Sequence, residues 1–507
     1  ANTILAATSG GIYKSTDGGS TWTLKSSALN FKDIKFKPGT PSTVYATENG
    51  NFYKSTNTGD SWTLVTSGII AGTRMVIGVS ANAPNTVYLI QTNGPFAGLL
   101  KSTDSGQNFS TVSTTPNLMD YSCDGSGTAS QAWYNLCVAV DQSNVNTLYI
   151  GGINTWKSTN GGSSWSIVSH WLGASYGSSC AASVHADIHC LDWNPLNGRL
   201  FSGNDGGVYW TSNGGSGWTD ISSGLAIAQV YKIGQSATTR GLVINGYQDN
   251  GTAINSGAGF TTVIGGDGME CIIDYSDSAC RFGSIYYGDI RRYYSSGGFS
   301  TIGKNGSNGI TESGGWVTPF IQHSTTPSTL FAGYKNVWRT TNAKTVPGIL
   351  VSWSAITTGQ TTNCTVLEQS PANVDILYAV WQGSMMRSDN ANATTPTWST
   401  CTLPGSNTPT DLEAHPTNQN IVYATAGTKV YKSTNKGSSW TDITSNLPAV
   451  TINCIVYDVN SNDGLYVGNT TQVYYRDAAM STWTLYTTGL PKVDIRELEI
   501  FYSATDV

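Results

Sequence analysis

Apolar and polar residues alternate in short segments along most of this chain. Residues 31–66 give a clear example, with the segments Phe31–Phe36, Thr43–Thr47, Phe52–Ser55 and Trp62–Val65 separated by clusters of small and polar residues. Alternation with a period of two, bounded by turn residues, predicts β-strands. Each repeat therefore predicts four strands, which we call A to D, and the whole chain predicts an all-β fold.

A short phrase recurs between strands C and D. It reads Ser-Thr-Asp-Gly-Gly-Ser-Thr-Trp at 15–22 and returns at 55–62, 102–109, 158–165 and 433–440, with a looser copy at 211–218. Its Asp or Asn can accept bonds from backbone N–H groups of the turn, and its Gly tolerates a positive φ. We therefore expect a structural role for the Asp or Asn of every copy: Asp17, Asn57, Asp104, Asn160, Asn213 and Asn435.

The pattern Ser/Thr-x-Asp/Asn-x-Gly-x-x-Trp/Phe resembles the Asp-box of β-propeller proteins. These include sialidases, sortilin-type receptors, two-propeller xyloglucanases and a plant photosystem assembly factor. The resemblance implies a propeller of four-stranded blades and implies nothing about activity. Recurrence about every 40–50 residues is in itself typical of such repeat folds.

Strand-B segments like Thr43-Val-Tyr recur often enough to predict about ten to eleven blades over a repeat domain spanning 1–507. They favour a single large ring and leave two joined rings open. The first repeat lacks a strand A, whereas residues 493–501 alternate like one. We therefore expect this C-terminal strand to complete the first blade and close the ring, which removes exposed sheet edges.

Charged residues make up only 11% of the chain, and the net charge is −6 with no basic run. This argues against nucleic acid as a partner. No apolar stretch approaches the roughly 20 residues that span a bilayer, so we expect no membrane insertion.

Nine cysteines are present, and six of them form close pairs in the sequence. The pairs are Cys123 with Cys137, Cys180 with Cys190, and Cys271 with Cys280. None has the spacing of a zinc site, so we expect disulfides and an extracellular or cell-surface location. The pairing of Cys364, Cys401 and Cys454 stays open. Because the chain begins at Ala1, we expect a processed or excised segment.

In a propeller the D–A and B–C connections share one face, and loops held by a rigid scaffold are where binding residues concentrate. Unusual polar residues fall on these connections between 185 and 270: His185, Asp187, His189, Asn204, Asp205, Gln248, Asp249, Asn250 and Asp267. Period-two alternation places His185, Asp187 and His189 on one side of a strand A. We expect these residues to bind a ligand.

Two long D–A insertions belong to the same face, at about 116–134 and 170–184. They contribute Trp133 and Trp171, and aromatic rings beside carboxylates and amides suit a carbohydrate or peptide cleft. Three simpler interpretations stay open: ordinary turn chemistry for the Asn/Asp-Gly phrases, a hydrogen-bonded network for the two histidines, and loop packing for the aromatic rings. We expect no cofactor, although two imidazoles and a carboxylate leave a bound calcium or other cation open.

The motifs of 185–270 also resemble secreted propeller modules of Bacteroidota-type bacteria, which often lie within larger cell-surface proteins. This resemblance implies a secreted or cell-surface, adhesin-like module with flanking domains of a larger chain. We expect a non-catalytic propeller that binds a glycan or a protein. A structural spacer that binds nothing is a further interpretation.

The enzymatic alternative is a xyloglucanase-like glycoside hydrolase, because such an enzyme needs two carboxylates facing a cleft. Asp205 and Asp249 occupy matching turns and would be its catalytic pair. A sialidase is disfavoured because that family has an Arg-Ile-Pro-type motif near its N-terminus, and residues 1–60 of this chain contain no Arg. A lyase would pair His185 or His189 with a tyrosine and has no firmer support.

Overall fold

A computed structural model of the chain describes residues 2–172, 180–225 and 227–502. Within these residues the strands form ten four-stranded antiparallel sheets and one three-stranded sheet. Helical structure in this described part of the chain is limited to short 3-10 turns, among them Tyr286–Gly288, Gly348–Leu350 and Pro404–Ser406. The fold is therefore an all-β fold of the propeller class, as the sequence predicts, and the sheets are its blades.

The chain divides into two compact units, residues 1–227 (unit 1) and 228–507 (unit 2). The sheets of unit 1 follow one another along the chain. They are β1–β3 (Ile4–Thr8, Gly11–Ser15, Thr23–Leu24), β4–β7 (Phe31–Phe36, Val44–Glu48, Asn51–Ser55, Thr63–Val65), β8–β11 (Arg74–Val79, Val87–Thr92, Phe96–Ser102, Ser110–Ser113), β12–β15 (Cys137–Val140, Leu148–Gly151, Thr155–Ser158, Ser166–Ser169) and β16–β19 (Ile188–Trp193, Leu200–Asn204, Gly207–Thr211, Thr219–Asp220).

Unit 2 is built in the same way. Its sheets are β20–β23 (Val230–Gln235, Val243–Tyr247, Gly251–Asn255, Phe260–Ile264), β24–β27 (Cys271–Ile273, Cys280–Ile285, Asp289–Tyr294, Phe299–Gly303), β28–β31 (Phe320–Gln322, Leu330–Gly333, Val337–Thr340, Ser354–Ala355), β32–β35 (Cys364–Gln369, Leu377–Trp381, Ser384–Ser388, Ser399–Cys401), β36–β39 (Asp411–Ala414, Val422–Ala426, Lys429–Ser433, Thr441–Asp442) and β40–β43 (Ile452–Asp458, Gly464–Asn469, Val473–Arg476, Thr484–Leu485).

The hydrophobic core lies between successive sheets. Val76 and Ile90 of one sheet, for example, pack with Leu148 and Ile150 of the next. The second strands of several blades are buried on both faces, as Val44–Glu48, Val87–Thr92 and Leu377–Trp381 show. Apolar side chains on both faces of a strand are what stacking between two neighbouring sheets requires.

The recurring phrase forms the C–D turn. At 158–165, the hydroxyl of Ser158 donates to Asn160 Oδ1 at 2.9 Å, Gly162 N donates to Ser158 Oγ at 2.8 Å, and Ser164 N donates to Asn160 Oδ1 at 3.0 Å. The same three bonds recur in the other copies, around Asp17, Asn57, Asp104, Asn213 and Asn435. These side chains replace backbone partners inside the turn.

Two further turns of this kind escape the sequence pattern because extra residues separate their ends. Thr340 donates to Asn342 Oδ1 at 2.9 Å, and Ser388 donates to Asn390 Oδ1 at 3.1 Å. The Trp that follows each turn donates to a carbonyl of the preceding sheet, as Trp398 Nε1 does to Ile356 O at 2.8 Å. The Trp therefore links neighbouring blades.

A bulge interrupts the first strand of several blades at the same point. In β16 and β17 the register shifts between Ile188 and Cys190, and in β20 and β21 it shifts between Val230 and Lys232. The extra residue at this point is His189 in the first case and Tyr231 in the second. Bulges redirect a side chain and are common near binding sites.

The C-terminal segment differs from expectation. Residues 493–501 form no strand, and the sheet β1–β3 keeps three strands in the described part of the chain. Instead, Ile495 N donates to Asn469 O at 3.0 Å, and Ile233 N donates to Glu497 Oε2 at 2.5 Å. The segment therefore lies between the last sheet of unit 2 and its first sheet.

The C-terminal segment thus connects the last sheet of unit 2 to its first sheet. Clusters of buried side chains join each of its sheets to the next, and Ile495 packs on the last of them. The C-terminal segment therefore lies against β20 of unit 2 and not beside the first blade, where the sequence predicts it.

The predicted disulfide pairs are wrong. Cys123 bonds to Cys180, with their Cα atoms 6.0 Å apart. Cys271 and Cys280 lie on adjacent strands, but the register places Cys271 opposite Gly283, so the two thiols do not meet. The described cysteines outside the disulfide are free thiols: Cys137, Cys190, Cys271, Cys280, Cys364, Cys401 and Cys454. Apart from Cys190 they are buried.

Candidate functional site

The bulge in β16 aims His189 at the B–C turn of its own blade. His189 Nε2 lies 2.8 Å from Asp205 Oδ1, and about a third of the His189 side chain is exposed. Asp205 follows β17 directly, in the turn between the second and third strands. The bulge therefore builds an imidazole–carboxylate pair at the surface of unit 1.

The first insertion completes this pair. Tyr134 donates its hydroxyl to Asp205 Oδ2 at 2.8 Å, and its ring meets the edge of His189 with centroids 4.7 Å apart. Trp133 lies next to Tyr134, with centroids 5.5 Å apart, and is 78% exposed. Both oxygens of Asp205 are thus held, and a large exposed aromatic ring stands beside them. We call Trp133, Tyr134, His189 and Asp205 the unit 1 site.

Asp187 lies beside the unit 1 site, but not as alternation predicts. The strand begins only at Ile188, Asp187 has φ = +63°, and the bulge then breaks the period of two. His185, Asp187 and His189 therefore do not share one side of a regular strand. The carboxylate of Asp187 accepts a bond from the buried amide of Asn135. Burial, and then the charge of Asp205, raise the pKa of Asp187.

His185 and Asn204 support the backbone around Asp205. Asn204 Oδ1 accepts a bond from Gly206 N at 3.0 Å, and His185 Nδ1 lies 3.2 Å from the carbonyl of Ala186. A Cβ on Gly206 would lie 2.3 Å from the ring of His185. The Asn-Asp-Gly-Gly turn is therefore shaped by the packing of His185, and of its side chains only Asp205 is part of the site.

The disulfide joins the two insertions to each other. Cys123 belongs to the first and Cys180 to the second, and residues 173–179 of the second lie outside the described residues. Trp171 meets the edge of Tyr121 across this junction, with centroids 6.3 Å apart, and its backbone N donates to Asn154. Trp171 therefore packs the insertions together, which is the simpler interpretation that the sequence left open.

Within unit 1, the carboxylate oxygens of Asp187 and Asp205 come within 4.8 Å of each other, a spacing that a cation could bridge. Asn135 adds a buried amide oxygen that has no hydrogen-bond partner. Calcium prefers six to eight oxygen ligands. Cys123, His170 and Cys180 also converge, but the two sulfurs are bonded to each other and cannot act as thiolate ligands.

The matching turn of unit 2 contains Gln248, Asp249 and Asn250. Asp249 has φ = +60°, and its backbone N donates to Asp267 Oδ1 at 2.8 Å. Asn250 Nδ2 donates to Gln248 O at 3.1 Å. Asp267 thus supports the turn backbone. Asp249 and Asp205, the catalytic pair of the alternative prediction, belong to different units.

The bulge of β20 aims Tyr231 at this turn. Tyr231 donates its hydroxyl to Gln248 Oε1 at 2.9 Å and accepts a bond from Trp316 Nε1 at 3.0 Å. Trp316 stacks on Tyr286, and Tyr287 meets both rings edge-on. We call Tyr286, Tyr287 and Trp316 the aromatic shelf.

Sequence reasoning missed the aromatic shelf. Tyr286 and Tyr287 occupy a B–C turn, and Trp316 occupies a D–A connection, so all three belong to the connections expected to bind a ligand. The signal was a Tyr-Tyr pair followed by Gly where other blades have Gly or Asn. Tyr and Trp are also common in the core of a propeller, so this pair alone does not distinguish a binding surface from packing.

A depression of about 310 Å³ in unit 1 lies elsewhere, among the recurring turns. Its lining includes Lys157, whose ammonium is taken up by the carbonyl of Gly214 at 3.1 Å and by the ring of Tyr149. Because the ammonium of Lys157 already has partners within the protein, we interpret this depression as the gap between adjacent turns. None of the described helices has the length and apolar character to span a bilayer.

No protein-family model matches the sequence, and no curated protein matches it. The GH74 enzyme of Niastella koreensis is similar in structure, with 16% identity over 96% of this chain and 83% of that chain and a TM-score of 0.34. The GH74 xyloglucanase of Xanthomonas campestris has 12% identity over 95% and 81%, with a TM-score of 0.30. PorZ, a bacterial surface component of the type-IX secretion system of Porphyromonas gingivalis, has 12% identity over 92% and 71%, with a TM-score of 0.39.

Proposed function

We propose that this protein is a non-catalytic, secreted or cell-surface propeller that binds a glycan or a protein through the face of its B–C and D–A connections. Flanking domains of a larger exported protein would carry it. The observation that supports the proposal is the unit 1 site, where Asp205 is fixed by His189 and Tyr134 next to the exposed ring of Trp133.

The geometry suits recognition because it is already formed without a ligand. A carboxylate that two donors already hold loses little conformational entropy when a ligand binds. Preorganisation of this kind increases affinity. Trp133 adds an apolar surface that is open to solvent beside a hydrogen-bonding group. Aromatic rings with a few fixed polar groups are typical of ligand sites.

Arrays of polysaccharides and of extracellular proteins test this proposal. We expect the wild-type chain to bind a ligand and Asp205→Ala to bind it at least tenfold more weakly, because removing a carboxylate hydrogen bond costs about 1.5–3 kcal/mol. The melting temperature should stay close to that of the wild type. Asp192→Ala is the matched control, since Asp192 is an exposed carboxylate at the other end of β16.

Loss of stability in Asp205→Ala with binding retained would show that Asp205 serves the turn alone. Absence of any ligand on both arrays would favour the spacer interpretation.

A glycoside hydrolase is the second candidate, and one observation favours it. Asp187 and Asp205 have carboxylate oxygens within 4.8 Å, and the pKa of Asp187 is raised. Retaining glycosidases use two carboxyl groups about 5–5.5 Å apart, one of them protonated. Release of reducing ends by the wild type, and its loss in Asp187→Asn, would replace our proposal with this one. Binding without release would support our proposal.

A further inference from the structure

The aromatic shelf in unit 2 is exposed and rigidly held. Tyr286, Tyr287 and Trp316 are 38%, 52% and 42% exposed. Two backbone contacts join the connections that carry them, from Tyr287 N to Trp316 O at 3.4 Å and from Gly314 N to Tyr287 O at 3.1 Å. The shelf is therefore fixed in place before anything binds.

The backbone under the shelf is strained. Tyr287 has φ = +62°, a region that residues with a side chain rarely adopt. Next to it, a Cβ on Gly288 would lie 2.5 Å from the ring of Tyr334, and the Tyr334 hydroxyl donates to Gly288 O at 2.5 Å. Strained residues of this kind cluster at functional sites because the surrounding structure must hold them there.

The rings form one continuous surface. Their centroids are 5.4 Å (Tyr286 to Trp316), 5.7 Å (Tyr286 to Tyr287) and 5.6 Å (Tyr287 to Trp316) apart, so the three rings are in contact with one another. The planes of Tyr286 and Trp316 differ by only 11°. A centroid distance of 5.4 Å in a parallel pair means that the rings are offset, and part of each face is left uncovered.

The edge of the shelf is polar and negative. Trp316 donates to Tyr231, which donates to Gln248. Burial is the main cause that raises the pKa of Tyr231, and the carboxylates of Asp267 and Asp249 add to it, whereas Arg496 opposes it. Two carboxylates against one cation disfavour an anionic ligand, since like charges at an interface are repelled.

We infer that the aromatic shelf is a stacking subsite for the pyranose rings of a neutral glycan, most directly a β-1,4-linked glucan. This inference rests on the proposed function and names its ligand class. In a β-1,4-linked glucose chain every substituent is equatorial, so both ring faces present axial C–H groups. C–H groups carry partial positive charge and are attracted to the negative face of an aromatic ring. The sugar hydroxyls then meet the amide and carboxylates along the edge.

Titration of the wild-type chain with cellohexaose, followed by calorimetry and by tryptophan fluorescence, tests this inference. We expect binding, and we expect Trp316→Ala to weaken it about tenfold, the effect of losing one well-packed aromatic contact. Trp316→Phe should retain most of the affinity because it keeps a ring face. Tyr486→Ala is the matched control, since Tyr486 is an aromatic residue of unit 2 that is 60% exposed and makes no contact with the shelf.

The outcomes separate this inference from the proposed function. Binding that is lost in Trp316→Ala and kept in Asp205→Ala supports the shelf and argues against the unit 1 site. Binding that is lost in Asp205→Ala and unchanged in Trp316→Ala overturns the shelf and leaves the proposed function standing. The inference is also overturned if the wild type does not bind cellohexaose. It is overturned as well if the wild type binds choline or an oligogalacturonate in its place.

Discussion

The unit 1 site and the surroundings of Tyr231 in unit 2 are built by the same backbone device but carry different chemistry. In each, a bulge near the start of the first strand of a blade aims one side chain at the B–C turn of that blade. In unit 1 the result is an imidazole–carboxylate pair, His189 with Asp205. In unit 2 it is a neutral pair, Tyr231 with Gln248, extended by Trp316. The fold supplies the position, and the side chains decide what can bind there.

The residue after each bulge sharpens this comparison. In unit 1 it is Cys190, an exposed thiol. In unit 2 it is Lys232, whose ammonium lies 2.8 Å from Glu497 and 3.7 Å from Glu270. Unit 2 therefore has a charged group after its bulge that holds the C-terminal segment in place, whereas the pair that the bulge forms with the B–C turn, Tyr231 with Gln248, is neutral.

The largest effect is expected from Lys232→Ala. It removes the cation that Glu497 and Glu270 share and leaves these two mostly buried acidic groups without it, so we expect a loss of about 3–5 kcal/mol in the free energy of unfolding. Chemical denaturation measures it. Lys429→Ala is the control, because the ion pair of Lys429 with Asp442 is exposed and should contribute less than about 1 kcal/mol. Equal losses in the two variants would contradict the role assigned to Lys232.

The acidic side chains around Lys232 also determine how the stability of the protein depends on pH. Burial is the main cause that raises the pKa of Glu270 to about 8, of Glu499 to about 7 and of Asp411 to about 6. Burial alone would lower the pKa of Lys232, but the neighbouring carboxylates Glu270 and Glu497 raise it, so Lys232 stays charged. The folded state thus holds protons that the unfolded chain has already released.

Stability should therefore fall as the pH rises from about 4.5 through 8, because the folded state then binds more protons than the unfolded one. Calorimetry at pH 5 and pH 8 should give the lower melting temperature at pH 8. Glu270→Gln should flatten this dependence. A melting temperature that does not fall over this interval, and that changes equally in the wild type and in Glu270→Gln, would show that these acidic groups bind no extra protons in the folded state.

A smaller effect is expected from Tyr134→Phe in unit 1. It removes one of the two bonds to Asp205 and keeps the ring that faces His189, so ligand affinity should drop about fivefold, the equivalent of one hydrogen bond. Stability should change little. Affinity equal to that of the wild type would mean that His189 alone fixes Asp205.

The smallest effect is expected from Asn160→Ala in a recurring turn. It removes the acceptor for Ser158 and for Ser164 N, and we expect a loss of about 0.5–1.5 kcal/mol in stability. Ligand binding should not change, because this turn is a C–D connection and the ligand is expected at the others. Thermal melting and the array measure the two quantities separately.

The sequence was sufficient for the fold because its signals are local. Strand alternation and the turn chemistry of residues such as Asn160 depend on neighbours a few positions away. The site depends on irregular backbone. The bulge at His189 and the positive φ of Asp187 break the alternation on which their predicted orientation was based.

Contacts between residues far apart in the chain could not be predicted from the local sequence pattern. Cys123 is nearer in sequence to Cys137 than to Cys180, but the disulfide joins Cys123 to Cys180, 57 positions away in the other insertion. Glu497 pairs with Lys232, 265 positions away. Nothing in the local pattern around Glu497 distinguishes a contact with β20 from the expected pairing with the first blade.

The most direct test of the account is amide hydrogen exchange on the wild-type chain, with and without a saturating ligand from the arrays. We predict slower exchange in the B–C and D–A connections, around 133–135 and 204–206 in unit 1 or around 286–288 and 314–317 in unit 2. Slower exchange confined to the recurring C–D turns, such as 158–165 and 433–440, would contradict the claim that the ligand binds the opposite connections.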